Sequence, residues 1–238
     1  EPELGLQNPK TLAKIKDALA GLPLELREGP STSGLIAILR GSDNGRTVLL
    51  RGDTDALPLR EDTGLDYASA TEGAMHACGH DTHVAMLVGA ARLLSAKRDT
   101  LAGTVLFMFQ PGEEGHHGAR YMLDDGLIDP LPDAAFALPI MPNAPHGIFT
   151  GRSGPLLASA DKLYMTITGR GGHASMPHDA LDPVPIACEI VTAIQAMVTR
   201  KVSVFDPAVV TIGRILAGTT DNIIPESASL LGTIRTTA

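Results

Sequence analysis

Gly103-Thr-Val-Leu-Phe-Met-Phe-Gln-Pro-Gly-Glu-Glu-Gly115 is the stretch whose reading decides the fold. From Thr104 to Phe109 both alternating sets of side chains are apolar, so a strand built from them has no face to offer to water. Such a strand belongs in the interior of a parallel sheet covered on both sides. Gln110 and Pro111 end the run, and Glu113 and Glu114 follow at its C-terminal end, where ligands and catalytic groups of α/β sheets collect.

The flanking sequence supplies the other layers. Pro9 to Ala20 carries Leu12, Ile15, Ala18 and Leu19 at helical spacing and is stopped by Gly21-Leu22-Pro23. Leu35–Leu39 and Thr47–Leu50 bracket a turn at Gly41–Gly45 and predict a hairpin or two neighbouring strands. Val84 to Leu94 predicts a buried helix whose start is signalled by Asp81 and Thr82. Ala119–Leu123 predicts a helix ended by Gly126, and Ala134–Leu138 a short buried strand. Strands and helices in alternation with short connections predict an α/β sandwich. The pattern changes near Leu157. Asp161–Thr168 alternates with Leu163, Met165 and Ile167 on one face, and a helix follows from Pro183 to Arg200 with Ile186, Ile190, Ile194, Met197 and Val198 facing inward. Val209–Ile215 and Ser229–Arg235 predict two further strands. This β-α-β-β unit is most of a split-βαβ sandwich without its last helix and strand. The expected domains are 1–157 and 158–238.

Composition narrows the function classes. The 238 residues, 44% hydrophobic, suffice for one large core or two modest ones, and two cysteines exclude a disulfide scaffold. A net charge of −8 argues against a nucleic-acid partner or an anionic membrane and leaves a small anionic substrate open. Cys78 and Cys188, far apart, suggest a reducing compartment. With no apolar run of bilayer length and no signal core at the start, the expected location is cytoplasmic. The sequence reads as cut after TIRTTA and trimmed at its start.

All eight histidines lie between His76 and His178, and the densest group is Met75-His-Ala-Cys-Gly-His-Asp-Thr-His83. Cys78 and His80 diverge on a helix but converge on a looped segment, which Gly79 permits. A thiolate with an imidazole suits zinc, nickel, manganese or iron, and Asp81 could orient an imidazole. The plainer reading is a buried cysteine beside helix-capping polar groups. Adjacent Glu113 and Glu114 point in opposite directions on an extended segment, so Glu114 could bind a metal while Glu113 holds a water. Their repulsion would keep one carboxylate basic. A solvated acidic turn is the alternative. Asp55, in Arg51-Gly-Asp-Thr-Asp-Ala-Leu-Pro58, could accept from a ligand histidine or form an Asx turn. His173, on the glycine-rich Gly169–Ser175 segment, suits a substrate contact, whereas Arg170 and His178 read as solvated.

Taken together, RGDTDALP (51–58), GAMHACGHDTHVAMLVGAARLL (73–94), GTVLFMFQPGEEG (103–115), GRGGHASMPH (169–178) with DPV (182–184), and NIIP (222–225) with GTIRT (232–236) resemble the M20 metallopeptidase family, in its amidohydrolase branch of N-acyl-amino-acid and hippurate hydrolases. The resemblance implies an α/β catalytic domain with an inserted ferredoxin-like lid, both incomplete at the C-terminus here. It implies two divalent ions (manganese, zinc or nickel) and hydrolysis of the amide bond of an N-acyl amino acid. By motif position Cys78, His80 and Glu114 match metal ligands, and Glu113 matches the general base acting on metal-activated water. His173 matches the lid histidine that stabilises the oxyanion, often across a dimer formed through the lid. Asn222 and Arg235 match substrate contacts, Arg235 as a clamp for the carboxylate. In one respect the chain departs from the family: Pro139, in Ala137-Leu-Pro-Ile-Met-Pro142, stands where the family has a ligand histidine, and proline has no donor atom. His146 is a substitute at seven residues' distance, or an exposed loop histidine. The family's last ligand histidine lies past Ala238, which leaves three of five expected ligands. A second reading follows, a catalytically impaired homologue or fragment that acts as a dimerising or binding protein.

Overall fold

A computed structural model describes residues 1–237, apart from the side chains of residues 43 and 44. The chain forms two compact units, Glu1–Pro145 and His146–Ala238. The strands of the first are β1 (Glu25–Glu28), β2 (Leu35–Arg40), β3 (Ser42–Asp53), β4 (Ala102–Gln110) and β5 (Ala134–Ala137), and its helices are α1 (Pro9–Leu19), α2 (His80–Ser95) and α3 (Gly118–Asp124). The sheet order is β1-β2-β4-β3-β5.

β4 takes the central place that its two apolar faces demand. One face joins Val105, Phe107 and Phe109 to Leu35, Ala37 and Leu39 of β2, under Ile15 and Leu19 of α1 and Leu87 and Ala91 of α2. The other joins Leu106 and Met108 to Ile36, Ile38 and Leu49, covered by Met122 of α3, Leu127 and Ile128. Phe107 and Phe109 are fully buried, each stabilising the fold by about 1.5–3 kcal/mol. β2 and β3 form neither the expected hairpin nor neighbouring strands. β4 lies between β2 and β3, antiparallel to the first and parallel to the second, because the two-faced apolar strand must be flanked on both sides. The sheet is therefore mixed.

Two other expectations are corrected. β5 is exposed at all four residues, not buried, because it is the sheet's edge and pairs with β3 alone. Helix α2 begins at His80, four residues before the apolar pattern does. Its N-cap is Gly79 in the left-handed region (φ 73°), with no side-chain cap, so Asp81 and Thr82 sit inside the first turn instead of capping it.

In the second unit β6 (Asp161–Thr168), β8 (Ala208–Ala217) and β10 (Ser227–Thr236) form an antiparallel sheet in the order β6-β10-β8, backed by α4 (Pro183–Lys201). β7 (Gly172–His173) pairs with β9 (Ile223–Ile224). Asp182 caps α4 by accepting from the Val184 N–H at 2.9 Å, and Pro183 occupies the first turn. Ala187, Ile190 and Val191 meet Met165, Ile167, Ile212, Ala228 and Leu230. Ile186 and Met197, expected inside, are exposed. The helix meets the sheet instead through Ala187, with Ile190 and Val191 packed beside it. No helix among the described residues is long and apolar enough to cross a membrane.

Candidate metal centre

β3 and β4 run parallel with Asp53 opposite Gln110, so both deliver their C-terminal ends to one place. The Thr54 N–H donates to the Gln110 carbonyl at 2.8 Å. Two residues past the end of β3, the Asp55 carboxylate accepts from the Glu113 and Glu114 N–H groups, each at 3.0 Å. One buried acid thereby fixes the loop that carries both glutamates. Burial alone would raise Asp55, but His80 and the amides of Glu114 and Glu113 outweigh it and hold it below its ordinary value.

His80 Nδ1 lies 2.7 Å from the Asp55 carbonyl. A carbonyl only accepts, so Nδ1 carries the proton and Nε2 presents its lone pair to the other side. That lone pair faces carboxylates: Asp53 Oδ2 at 3.4 Å, Glu114 Oε1 at 3.8 Å and Glu113 Oε2 at 3.9 Å. The donor atoms of Cys78, His80 and Glu114 all lie within 4.8 Å of one another, and Glu114 Oε1 is buried without a hydrogen-bond partner. The charges are in mutual conflict. Glu114 against the thiol, then burial, push Cys78 up to about 12. Burial and the neighbouring Glu114 raise Glu113. Burial would lower His80, but Asp55 and Asp53 raise it on balance. A lone pair, an orphan carboxylate oxygen and a thiol drawn within reach of one another make a donor set that fits a divalent cation. Cys78 is exposed, which leaves the cluster open to solvent on its side.

The first unit thus brings Cys78, His80, Glu113, Glu114 and Asp55 together. Asp55 meets His80 Nδ1 with its backbone carbonyl and, at 3.5 Å, with its Oδ1, while the same carboxylate also holds the glutamate loop. Asp81 stands apart: it is exposed, and its Oδ1 accepts from the Thr82 N–H, with no bond to a histidine. Pro139 adjoins Ile140, whose N–H donates to His83 Nε2 at 2.9 Å. His146 is exposed and belongs to the second unit. Sequence reasoning missed Asp53 and His83, both buried. The signals were present in the i,i+3 spacing of His80 and His83 and in the period-2 relation of Asp53 to Asp55.

In the second unit His173 is exposed on β7, opposite Ile223. Its Nδ1 accepts from the Ser175 N–H at 3.2 Å and lies 2.8 Å from Ser175 Oγ. A neutral ring so held carries its proton on Nε2, which is then a donor. The Ala174 N–H donates to the Asn222 carbonyl at 3.1 Å, which places Asn222 beside His173. Arg235 is not brought to them. It lies eight residues beyond Ser227 on β10, roughly 27 Å along the strand, and its Nη1 donates to the Ser159 carbonyl at 3.4 Å.

A model of the peptidase family M20/M25/M40 matches residues 49–229. The chain belongs to that family. The N-acetylcysteine deacetylase of Bacillus subtilis (strain 168) is 42% identical over 236 residues, 99% of this chain and 62% of that protein. Thermostable carboxypeptidase 1 of Saccharolobus solfataricus is 40% identical over 237 residues, 98% of this chain and 60% of that protein. Among solved structures, the Bacillus subtilis YXEP protein, a dinuclear metal binding peptidase from the M20 family, superposes with a TM-score of 0.84. It is 38% identical, over 100% of this chain and 61% of that one. The M20 chain therefore spans about three fifths of the length of the relatives it matches. The α/β fold expected from the sequence is the fold of this M20 neighbour.

Proposed function

We propose that the protein hydrolyses the amide bond of N-acyl amino acids with divalent cations bound at Cys78, His80 and Glu114. The observation that carries this reading is the His80 lone pair aimed, with the orphan Glu114 oxygen and the Cys78 thiol, into one open cluster beside a raised Glu113. A bound cation would supply Lewis-acid polarisation of the substrate carbonyl and of water. Glu113, whose carboxylate is more basic than an ordinary one, takes the proton from the attacking water and returns it to the leaving amine. Asp55 keeps Glu113 in place through its amide. His173 is assigned the developing oxyanion, and Asn222, beside it, the amino-acid portion of the substrate; Arg235, at the far end of β10, takes no part in this assignment. The relative named as an N-acetylcysteine deacetylase supports an acyl-amino-acid substrate. Two ions, as in the dinuclear neighbour, a homodimer through the second unit, and a cytoplasmic location belong to the same reading.

The test is release of free amine from N-acetyl-L-cysteine and a panel of N-acetyl amino acids, with manganese, zinc or nickel and with a chelator. Turnover should need the cation and should fall by about 10²–10⁴-fold in Glu113→Gln. A second reading, a non-catalytic binding homologue, is favoured by Pro139, which offers no donor atom at a position the family uses as a ligand. Cation binding without turnover on any substrate, unchanged by Pro139→His, would select it.

A further inference from the structure

Asp53, His80 and His83 form a second group whose donor atoms lie within 4.8 Å of one another, all three residues buried. It has the composition of a metal site, and it shares His80 with the first. The Asp53 oxygens and both His83 nitrogens, however, are already hydrogen-bonded. Asp53 Oδ2 accepts from Arg51 Nη1 at 2.6 Å, and Arg51 Nε donates to Gln110 Oε1 at 2.8 Å. Asp53 Oδ1 lies 2.6 Å from His83 Nδ1. His83 Nε2 is taken by the Ile140 N–H. A backbone N–H can only donate, so Nε2 bears no proton and Nδ1 must carry it, donated to Asp53. Every bond in the line Gln110–Arg51–Asp53–His83–Ile140 has one donor and one acceptor.

The far end of this line touches the metal centre. Gly79, the left-handed corner between Cys78 and His80, lies so close to the Ile140 side chain that an added Cβ would sit 3.4 Å from Ile140 Cβ. The His80 and His83 rings stack with centroids 5.4 Å apart. Fixing Ile140 therefore fixes one wall of the corner that sets the separation of the two donors.

We propose that Asp53 and His83 are positioning residues, a closed hydrogen-bonded relay that ties Ile140 to β3 and braces the Gly79 corner between Cys78 and His80, and not a second cation site. The proposal rests on the proposed function only in taking Cys78, His80 and Glu114 as the cation-binding group.

Long-range 1H–15N correlation spectra of the labelled full chain, with the His83 ring assigned from a His83→Gln sample, read the relay directly. His83 should be a neutral Nδ1–H tautomer in the metal-free protein and should remain so with excess zinc, while the His80 Nε2 resonance moves. An Nε2–H tautomer, or a His83 nitrogen that shifts with zinc as His80 does, overturns the proposal. Zinc competition against a chromogenic chelator supplies the second measurement. His83→Ala should weaken binding about 10-fold or more with the number of ions per chain unchanged. Loss of one ion per chain would make His83 a ligand and overturn the proposal. A wild-type chain that binds no zinc would sink the cation reading of Cys78, and the metal-free tautomer would still decide the relay.

Discussion

Glu113 and Glu114 are sequence neighbours held by the same aspartate, yet their side chains meet different surroundings. Glu114 turns a buried, unpartnered oxygen toward Cys78 and His80, whereas Glu113 keeps an exposed carboxylate with a raised affinity for a proton. Glu113→Gln should therefore lower kcat by about 10²–10⁴-fold with zinc affinity unchanged, and Glu114→Gln should abolish zinc binding. Equal loss of binding in the two variants would refute the division of roles. Cys78 offers a check that needs no substrate. With its thiol at about 12 in the cation-free protein, the thiolate fraction at pH 8 is on the order of 10⁻⁴. Alkylation by iodoacetamide should be at least about tenfold slower than that of free cysteine, and Glu114→Gln should accelerate it. A rate equal to free cysteine in the wild type would count against the charge conflict described for the cluster. Asp55 ties the centre to stability. Its folded-state value lies below the ordinary 3.8, so its contribution is fully present above that pH and is lost as the pH falls further, through the folded value. Urea midpoints of the metal-free protein should decline below about pH 4, and Asp55→Asn should flatten that decline while costing about 1–3 kcal/mol at neutral pH.

At the level of elements, the parallel pair β3–β4 makes the site, and its presence was readable because Thr104–Phe109 is apolar on both faces. Its neighbours were harder to read. Periodicity reports which faces are dry but not which strand lies beside which, so β4's insertion between β2 and β3 was hidden in a sequence where β2 and β3 are consecutive. The exposure of β5 was hidden for the same reason, since an apolar four-residue strand looks alike at a centre and at an edge. The convergence of Cys78, His80 and Glu114 was legible because the Cys-Gly-His corner and the Glu-Glu pair are local. Asp53 and His83 were not singled out because their bonding depends on Ile140, 57 residues away from His83. The glutamate loop has a further structural dependence. Gly118, the first residue of α3, packs its α-carbon against the Pro111 carbonyl, and an added Cβ would collide with that oxygen. Gly118→Ala should push the 111–114 segment off the Asp55 carboxylate, lowering zinc affinity together with thermal stability. Gly21→Ala, at a position with open space but a left-handed φ of 78°, should cost about 1 kcal/mol and leave zinc affinity untouched. If the two variants lose zinc affinity equally, the loop is not held by that contact.

At the scale of the molecule, each unit carries apolar surface of its own that is exposed. In the first unit the edge strand β5 exposes Phe136, and Leu138 beyond it is half exposed. Beside them Leu50, Met86, Leu87 and Ala90 line a largely apolar cavity of about 360 Å³. Apart from its shortness, this edge strand, paired on one side only, lacks the devices that discourage edge-to-edge pairing, since no lysine, proline or inward charge interrupts Ala134–Ala137. The second unit adds Val204 and Phe205, both nearly fully exposed, and Tyr164 on β6, which is an edge of its sheet. Patches of this kind on a soluble domain mark interfaces or aggregation sites. The 238-residue polypeptide, expressed alone, should elute above its 24.9 kDa monomer mass in size-exclusion chromatography. Phe136→Lys should shift part of the material toward monomer, because a charge on β5 opposes strand addition. Phe205→Lys separates the two units' contributions. A shift with Phe136→Lys alone assigns self-association to the sheet edge, and a shift with Phe205→Lys alone assigns it to the second unit, where the proposed dimer lies. A sharp monomer peak with cooperative melting of the unmodified chain would mean that these surfaces are tolerated in water, and the edge-strand argument would fail.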